Sequence, residues 1–518
     1  MGDCRNGMKR KQLTQLFNLI GIWIAVALMV VMPMAHTLAQ DAQYIISFKE
    51  GRETFEEQAR SLLNYALQDI DRIPVERSVV VRLPFHQAVE VAKRSDVIAM
   101  ELDQRVFALG STNDPLLSSQ TSLFGPYSAQ VTDAWDITTG ARDVVVAVID
   151  SGASLSHPDL RANLWRNRRE RAGNNRDDDN NGCVDDIYGC DFVNRDGSPE
   201  DDNGHGTHVT GIVAAVGDNA TGVAGVAFNA RVVPVKVLDA DGGGFISTVI
   251  KAIDYVTELK KRGVPIAAIN LSLGGTSDST ALYRATERAR NHDIMILAAA
   301  GNEASDNDSY PIYPANLDLA NVISVGAVTS SGVLASYSNY GETSVDVAAP
   351  GSGVLSLGLS GYRTLTGTSM ATPHVAGIVA LIKSINPNLT VSQVRSILLS
   401  TVQTTPELEG YVATAGIVDA FAAVQVAQIT EPLSRVYGTI KTVEGRGLRN
   451  ARVVLRSLEE SSELVESMRT AKDGSYSFTD LPNGRYQIRV KKRSYRFTRR
   501  RVSFDTGRTV RRNFKARR

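Results

Sequence analysis

Asp150 follows six apolar residues, Val144-Val-Val-Ala-Val-Ile149, that read as a buried strand. A carboxylate at the end of such a run is costly unless a cation or hydrogen-bond donors meet it. Elimination among the histidines narrows the partner. His36 and His86 fall in amino-terminal segments read as removed from the mature chain, His157 precedes Pro158, and His292 occupies a helix end. His205 stands between Gly204 and Gly206, which let the backbone approach its neighbours closely and leave the imidazole accessible. His208 is one turn on and leads Val209, Ile212, Val213 and Val216 at core spacing, so it reads as structural; His374 is the remaining histidine. Ser369, in Gly367-Thr-Ser-Met-Ala-Thr-Pro-His374, offers a hydroxyl where the apolar run Val375–Ile382 starts a buried helix, with Pro373 placed near its first turn. Free N–H groups and the positive dipole end there suit a developing oxyanion, although a serine before a helix is usually just a cap. Asn302, behind Ala298-Ala-Ala-Gly301, adds an amide donor, and Gly301 keeps the approach open.

The elements that must hold these groups alternate. Val144–Ile149, Val232–Leu238, Ile266–Leu273 and Ile294–Ala300 are continuous apolar runs, as expected of strands covered on both faces. Between them Ile246, Val249, Ile250, Ile253 and Val256 share one helical face, closed by Lys260-Lys-Arg-Gly263. Thr390-Val-Ser-Gln393 is a capping box for a later helix. The pattern predicts an α/β fold, a mostly parallel sheet with helices on both faces.

Asp150-Ser-Gly, His205-Gly-Thr-His208, Ala300-Gly-Asn302 and Gly367-Thr-Ser369-Met-Ala, in that chain order, resemble the subtilisin-like serine peptidases over residues 121–428. Ser156-His-Pro-Asp-Leu160, Val235-Lys-Val-Leu238 and Asn270-Leu-Ser-Leu-Gly-Gly275 extend the match. The resemblance implies a serine endopeptidase with Ser369 as nucleophile, His205 as base and acid, Asp150 orienting His205, and Asn302 with the Ser369 N–H as oxyanion hole. It also implies that Ser272, Leu273, Gly274 and Gly301 bind substrate, the first three as an edge that pairs with extended peptide backbone. The alternative is a catalytically dead, subtilisin-shaped binding protein, which has no physical need for all four polar groups. A carboxyl-type peptidase on a related fold is disfavoured by His205 and its setting. The resemblance implies polypeptide substrates, no nucleotide cofactor, and a monomer.

Lys9-Arg-Lys11, the apolar stretch Leu19–Met32 and Thr37-Leu-Ala39 read as a secretory signal peptide over 1–39, against an uncleaved anchor. Residues 40–115 resemble the inhibitory propeptide of such peptidases, with strands at Tyr44–Phe48 and Val97–Asp103 and helices at Phe55–Leu67 and Phe85–Ala92. The product would be a zymogen that is secreted or held at the cell surface. Three cysteines exclude a disulfide-rich scaffold and a cysteine-built zinc cluster. Cys4 leaves with the signal, so Cys183 and Cys190 are left to pair in an oxidising compartment. They lie in an acidic loop whose Asp177, Asp179, Asn181, Asp185 and Asp186 present alternate oxygens, as a Ca2+ loop requires, although Tyr188 stands where an EF-hand has its closing Glu. Asp159 with Asn219–Val223 forms a second candidate by resemblance.

Glu431-Pro432 marks a switch to alternation, with residues 429–435 expected as a linker. Strands at Val436–Ile440, Ala451–Leu455, Ser475–Phe478 and Tyr486–Val490, with Gly445, Gly447, Asp473-Gly474 and Asn483-Gly484 as turns, predict a small antiparallel β-sandwich over 436–518. It resembles the carboxypeptidase regulatory-like domain, which implies an accessory module without catalysis. The chain has 56 basic and 56 acidic residues, yet Arg485–Arg518 holds fifteen basic residues and one acid, Asp505. Either the acidic remainder of the chain or an external polyanionic surface would neutralise that excess.

Overall fold

The computed structural model describes residues 42–49, 54–62, 71–73, 77–83, 85–102, 112–458, 464–482, 484–504 and 509–517. The expected signal peptide lies outside them. The chain divides into two compact units, Met1–Val106 and Phe107–Arg518.

The first unit is a four-stranded antiparallel sheet ordered Asp71–Ile73, Ser78–Leu83, Ala42–Phe48, Val97–Leu102. Helices Phe55–Ser61 and Phe85–Ala92 accompany it, the first opened by a Thr54/Glu57 capping box. Ile46, Phe48, Val79, Val81, Leu62 and Val91 form its core. The strand Ser78–Leu83 pairs along the centre, and neither it nor Asp71–Ile73 was expected.

In the second unit nine strands form one sheet, ordered Gln403–Thr404, Gly416–Ile417, Val347–Pro350, Val322–Val328, Met295–Ala299, Ile266–Leu271, Val145–Asp150, Arg231–Lys236, Cys190–Asp191. All neighbours run parallel except the first pair. The helices Thr368–Ile385 and His205–Ala214 pack in the core on one face; Ile246–Lys261 and Thr280–Arg290 pack in a separate core on the other. No described helix is long and apolar enough to cross a membrane. Cys183 and Cys190 are disulfide-bonded, with Cα atoms 6.1 Å apart.

From Ser434 the chain builds two small sheets around Val436, Ile440, Leu455, Tyr476, Phe478 and Ile488. Their strands are antiparallel apart from Thr509–Arg511 and Phe514–Ala516, which return beside Ser434–Thr442 in parallel. Residues 429–435 lead from the end of the Ala420–Ile429 helix into this first strand. The sandwich is fastened to the large sheet's helices. Asp480 accepts hydrogen bonds from Thr390 and, at 2.9 Å, Ser392. Gln393 donates to Glu431 O and accepts from Leu433 N. Arg435, 4% exposed, makes an ion pair with Asp293. Removing one partner of a buried pair strands the other charge. Arg435→Met should therefore destabilise the folded protein by about 3 kcal/mol, measured by denaturant unfolding; an unchanged midpoint would show that the sandwich is not anchored there.

Candidate active site

Asp150 ends a strand whose residues are all buried, and its side chain has no exposed surface. Its Oδ1 accepts from Ser151 N and from His205 Nδ1, both at 2.7 Å. Beside this charge the imidazole of His205 is held above its ordinary pKa, the attraction outweighing burial and the opposing charge of Arg363. His205 is the first residue of the helix His205–Ala214, whose cap, Gly204, brings no side-chain acceptor. The orphan N–H groups are met from elsewhere: His205 N by Asn203 Oδ1, Gly206 N by Ser151 Oγ, and Thr207 N by Asp201 Oδ2. Asp201 also accepts from Ser151 Oγ, Thr207 Oγ1 and Gly204 N, which holds its carboxyl below the usual range despite burial. Sequence reasoning missed Asp201. An acid three residues before the glycine cap of a helix was its only signal.

His208 is buried, and its Nε2 lies 3.1 Å from both Val354 O and Arg363 O, tying the Val354–Leu357/Tyr362–Leu365 hairpin to the helix. Burial pushes His208 and His374 each down to about 4, so both are neutral struts.

Ser369 is the second residue of the helix Thr368–Ile385. Pro373 lies within this helix, beyond its first turn. Proline has no N–H, so the Ser369 carbonyl four residues earlier is left without its helical donor. Ser272 Oγ supplies that bond at 2.8 Å, while Ser369 Oγ donates to Ser272 O at 3.1 Å. The two serines thus exchange hydroxyl-to-carbonyl bonds across the site.

Asn302 follows Gly301, whose φ of +114° and contact with Asn339 (2.4 Å from an added Cβ) exclude a side chain. Thr368 N and Thr368 Oγ1 both donate to Asn302 Oδ1, so the amide nitrogen is the end of the Asn302 side chain left to act as a donor. Leu273 and Gly274 extend beyond the Ile266–Leu271 strand without a sheet partner among the described residues, before Gly275 bridges to Tyr313. His205, Ser272, Leu273, Gly274, Asn302 and Ser369 all line one cleft of about 790 Å³.

In the acidic loop the structure gathers a different set from the one expected. Glu170, Asp177 and Asp179 bring carboxylate oxygens within 4.8 Å of one another. Glu170 is 8% exposed, and its Oε2 and Asp179 Oδ1 are buried without hydrogen-bond partners among the described residues. Burial and the neighbouring acids push Glu170 up. Arg262, 3.6 Å from Asp179 Oδ1, is the nearby counter-charge. The expected ligands Asn181, Asp185 and Asp186 face elsewhere. Asp185 accepts from Asn174 N and Asn175 N. Asp186 accepts from Asn167, Asn181 and Tyr255, and burial pushes it up to about 7. Asp159 is likewise spoken for, by Asn219 Nδ2 and Val223 N.

Residues 141–422 match the model of the Subtilase family, and residues 435–517 match the carboxypeptidase regulatory-like domain. An extracellular protease of Xanthomonas campestris pv. campestris is 41% identical over 362 residues, covering 65% of this chain and 61% of that one. The chain thus spans about three fifths of that relative. Thermitase of Thermoactinomyces vulgaris is 37% identical over 314 residues, 60% of this chain and 99% of its own. A solved protease structure from Pseudoalteromonas arctica, at 35% identity, superposes with a TM-score of 0.50 over 61% of this chain and 100% of its own. The family match spans more than half of the chain, and the chain belongs to the subtilase family of serine-type endopeptidases, with a carboxypeptidase regulatory-like domain behind the peptidase.

Proposed function

We propose that this protein is a secreted endopeptidase, made as a zymogen, that cleaves polypeptides through Asp150, His205 and Ser369. The observation that carries the reading is the 2.7 Å contact of His205 with the buried Asp150 at the mouth of the cleft that Ser369 also lines. Substrate backbone pairs with Ser272-Leu273-Gly274, where strand-like hydrogen-bonding groups lack a sheet partner. Ser369 Oγ turns from Ser272 O to the carbonyl carbon and gives its proton to His205 Nε2. The oxyanion takes hydrogen bonds from Asn302 Nδ2 and the Ser369 N–H. His205 then returns the proton to the leaving amine, and water releases the acyl group by the same steps reversed. Asp150 fixes the imidazole and stabilises its cationic form.

The test is Ser369→Ala. In the full chain it should abolish labelling by a fluorophosphonate and leave residues 40–115 attached when expressed in a protease-free host. Labelling that persists in the variant would refute the assignment of Ser369.

His205 acts as base only when neutral, and its pKa is raised by Asp150. kcat/KM should therefore fall on the acid side below a pKa higher than that of a free imidazole. Asp150→Asn removes the charge, so that limb should move to lower pH while kcat drops by about 10⁴. A pH–rate profile with an unmoved limb would detach Asp150 from His205.

Ca2+ fits the acidic cluster, because two buried carboxylate oxygens without donors ask for a hard cation. Glu170, Asp177 and Asp179 would hold it, fastening the acidic segment that runs into the Cys183–Cys190 bond. Chelator should lower the melting temperature of the wild type and leave Glu170→Gln unaffected; equal shifts in both proteins would place the ion elsewhere.

A further inference from the structure

We infer that one face of the carboxyl-terminal sandwich is a docking surface for an anionic polysaccharide, a polyuronate chain. The face belongs to the sheet ordered Leu464–Arg469, Arg452–Ser457, Gly484–Lys491, Arg500–Phe504. Its inner side gives Val453, Leu455, Tyr486, Ile488, Val490 and Val502 to the core. Alternation puts the intervening residues on the outer side. There the register sets Arg452 directly between Arg469 and Lys491. Arg489 stands opposite Val454 in the next row, and Gln487 separates Arg456 from Arg501 in the third. Three of these cations, Arg452, Arg456 and Arg469, precede the basic tail in sequence. The fold has brought them to it.

Like charges directly opposite on neighbouring strands are destabilising. Among the described residues no carboxylate lies within salt-bridge distance of Arg452, Arg469, Arg489, Lys491 or Arg501. Their side-chain contacts are with neutral oxygens: Arg452 with Ser467 Oγ at 3.4 Å, Arg469 with Asn450 Oδ1 at 3.0 Å, Arg489 with Gln487 Oε1 at 2.5 Å. The sandwich does meet the peptidase domain's acids, but through Arg435 and Asp293, away from this sheet. Neutralisation by the rest of the chain, the alternative left open by the sequence, is therefore not made at Arg452, Arg469, Arg489, Lys491 or Arg501 among the described residues.

An occupant must carry anions repeated at the spacing of the array, about 4.8 Å across strands and about 7 Å along them. Guanidinium forks bind carboxylates bidentately. The rows themselves present no aromatic ring, so successive bases of a nucleic acid would have no stacking platform along them. At the end of the first row a groove of about 540 Å³ opens beside Arg469, Lys491 and Arg493, with Tyr495 and Phe497 in its wall. Those two rings pack against the sandwich core. One ring-walled groove at the end of a flat cationic array suits a sugar chain with carboxylates.

The test uses the full chain and polygalacturonate as the probe, with binding measured against salt. Binding should weaken steeply with salt. Arg452→Gln/Arg489→Gln/Lys491→Gln together should lower the slope of log affinity against log salt by roughly 2 and leave hydrolysis of a short peptide unchanged. Arg166→Gln/Lys251→Gln/Arg284→Gln, equal in charge but on the peptidase domain, should retain wild-type binding. The inference is overturned by no retention at low salt, by equal loss in both triple variants, or by tighter binding to single-stranded DNA of the same charge.

Discussion

A carboxylate without exposed surface has to be satisfied at the end of a strand without exposed surface, and the architecture of the peptidase domain follows from how this is done. Asp150 is met by one backbone N–H and one imidazole, both at Oδ1, while Oδ2 is buried without a hydrogen-bond partner among the described residues. Bringing His205 that close presses its helix against the turn after the strand: a Cβ on Gly206 would stand 2.2 Å from Gly152 O. No other residue type fits there. The same pressure removes any room for a conventional cap, so Ser151, Asn203 and Asp201 serve the helix's first N–H groups from outside it. The other polar groups of the cleft stand after the carboxyl ends of neighbouring strands, Ser272 behind Ile266–Leu271 and Asn302 behind Met295–Ala299. Loops at that end of a parallel sheet converge in a crevice.

What the sequence made legible was whatever is local or strongly apolar. The buried runs ending at Asp150 and before Asn302 announce strands because nothing polar interrupts them, and the Thr390/Gln393 box is complete within four residues. Contacts between segments far apart in sequence were not legible. Glu170 is separated from the acidic loop by six residues, two of them arginines, and only folding turns its carboxylate toward Asp177 and Asp179. Asp186 looked like a ligand by spacing, but Tyr255, from a helix 69 residues on, claims it. The strand Leu464–Arg469 follows a charged stretch that masks its alternation, and the last two strands are too short for any periodicity to show.

The carboxyl-terminal sandwich divides its charge by face. Its first sheet carries Asp480 toward the hydroxyls of Thr390 and Ser392 and places Arg435 on Asp293, so these charges are met where the domains join. Its second sheet leaves rows of arginine facing outward. If the inferred docking holds, a module that clamps to the peptidase domain and also presents these cations would keep the cleft at a fixed place relative to what they bind.

Pro373 has one more consequence. Because its ring cannot donate to Ser369 O, the Ser369 end of a long buried helix is stitched by Ser272 to the edge proposed to pair with a peptide. Fifteen of the eighteen residues of that helix are buried. The reciprocal bonds between its second residue and that edge tie the two together. Opening of the cleft at the wall from Gly242 to Val249 would leave this tie between the Ser369 backbone and the edge in place. A missing hydrogen-bond donor inside a helix thus serves as a ruler.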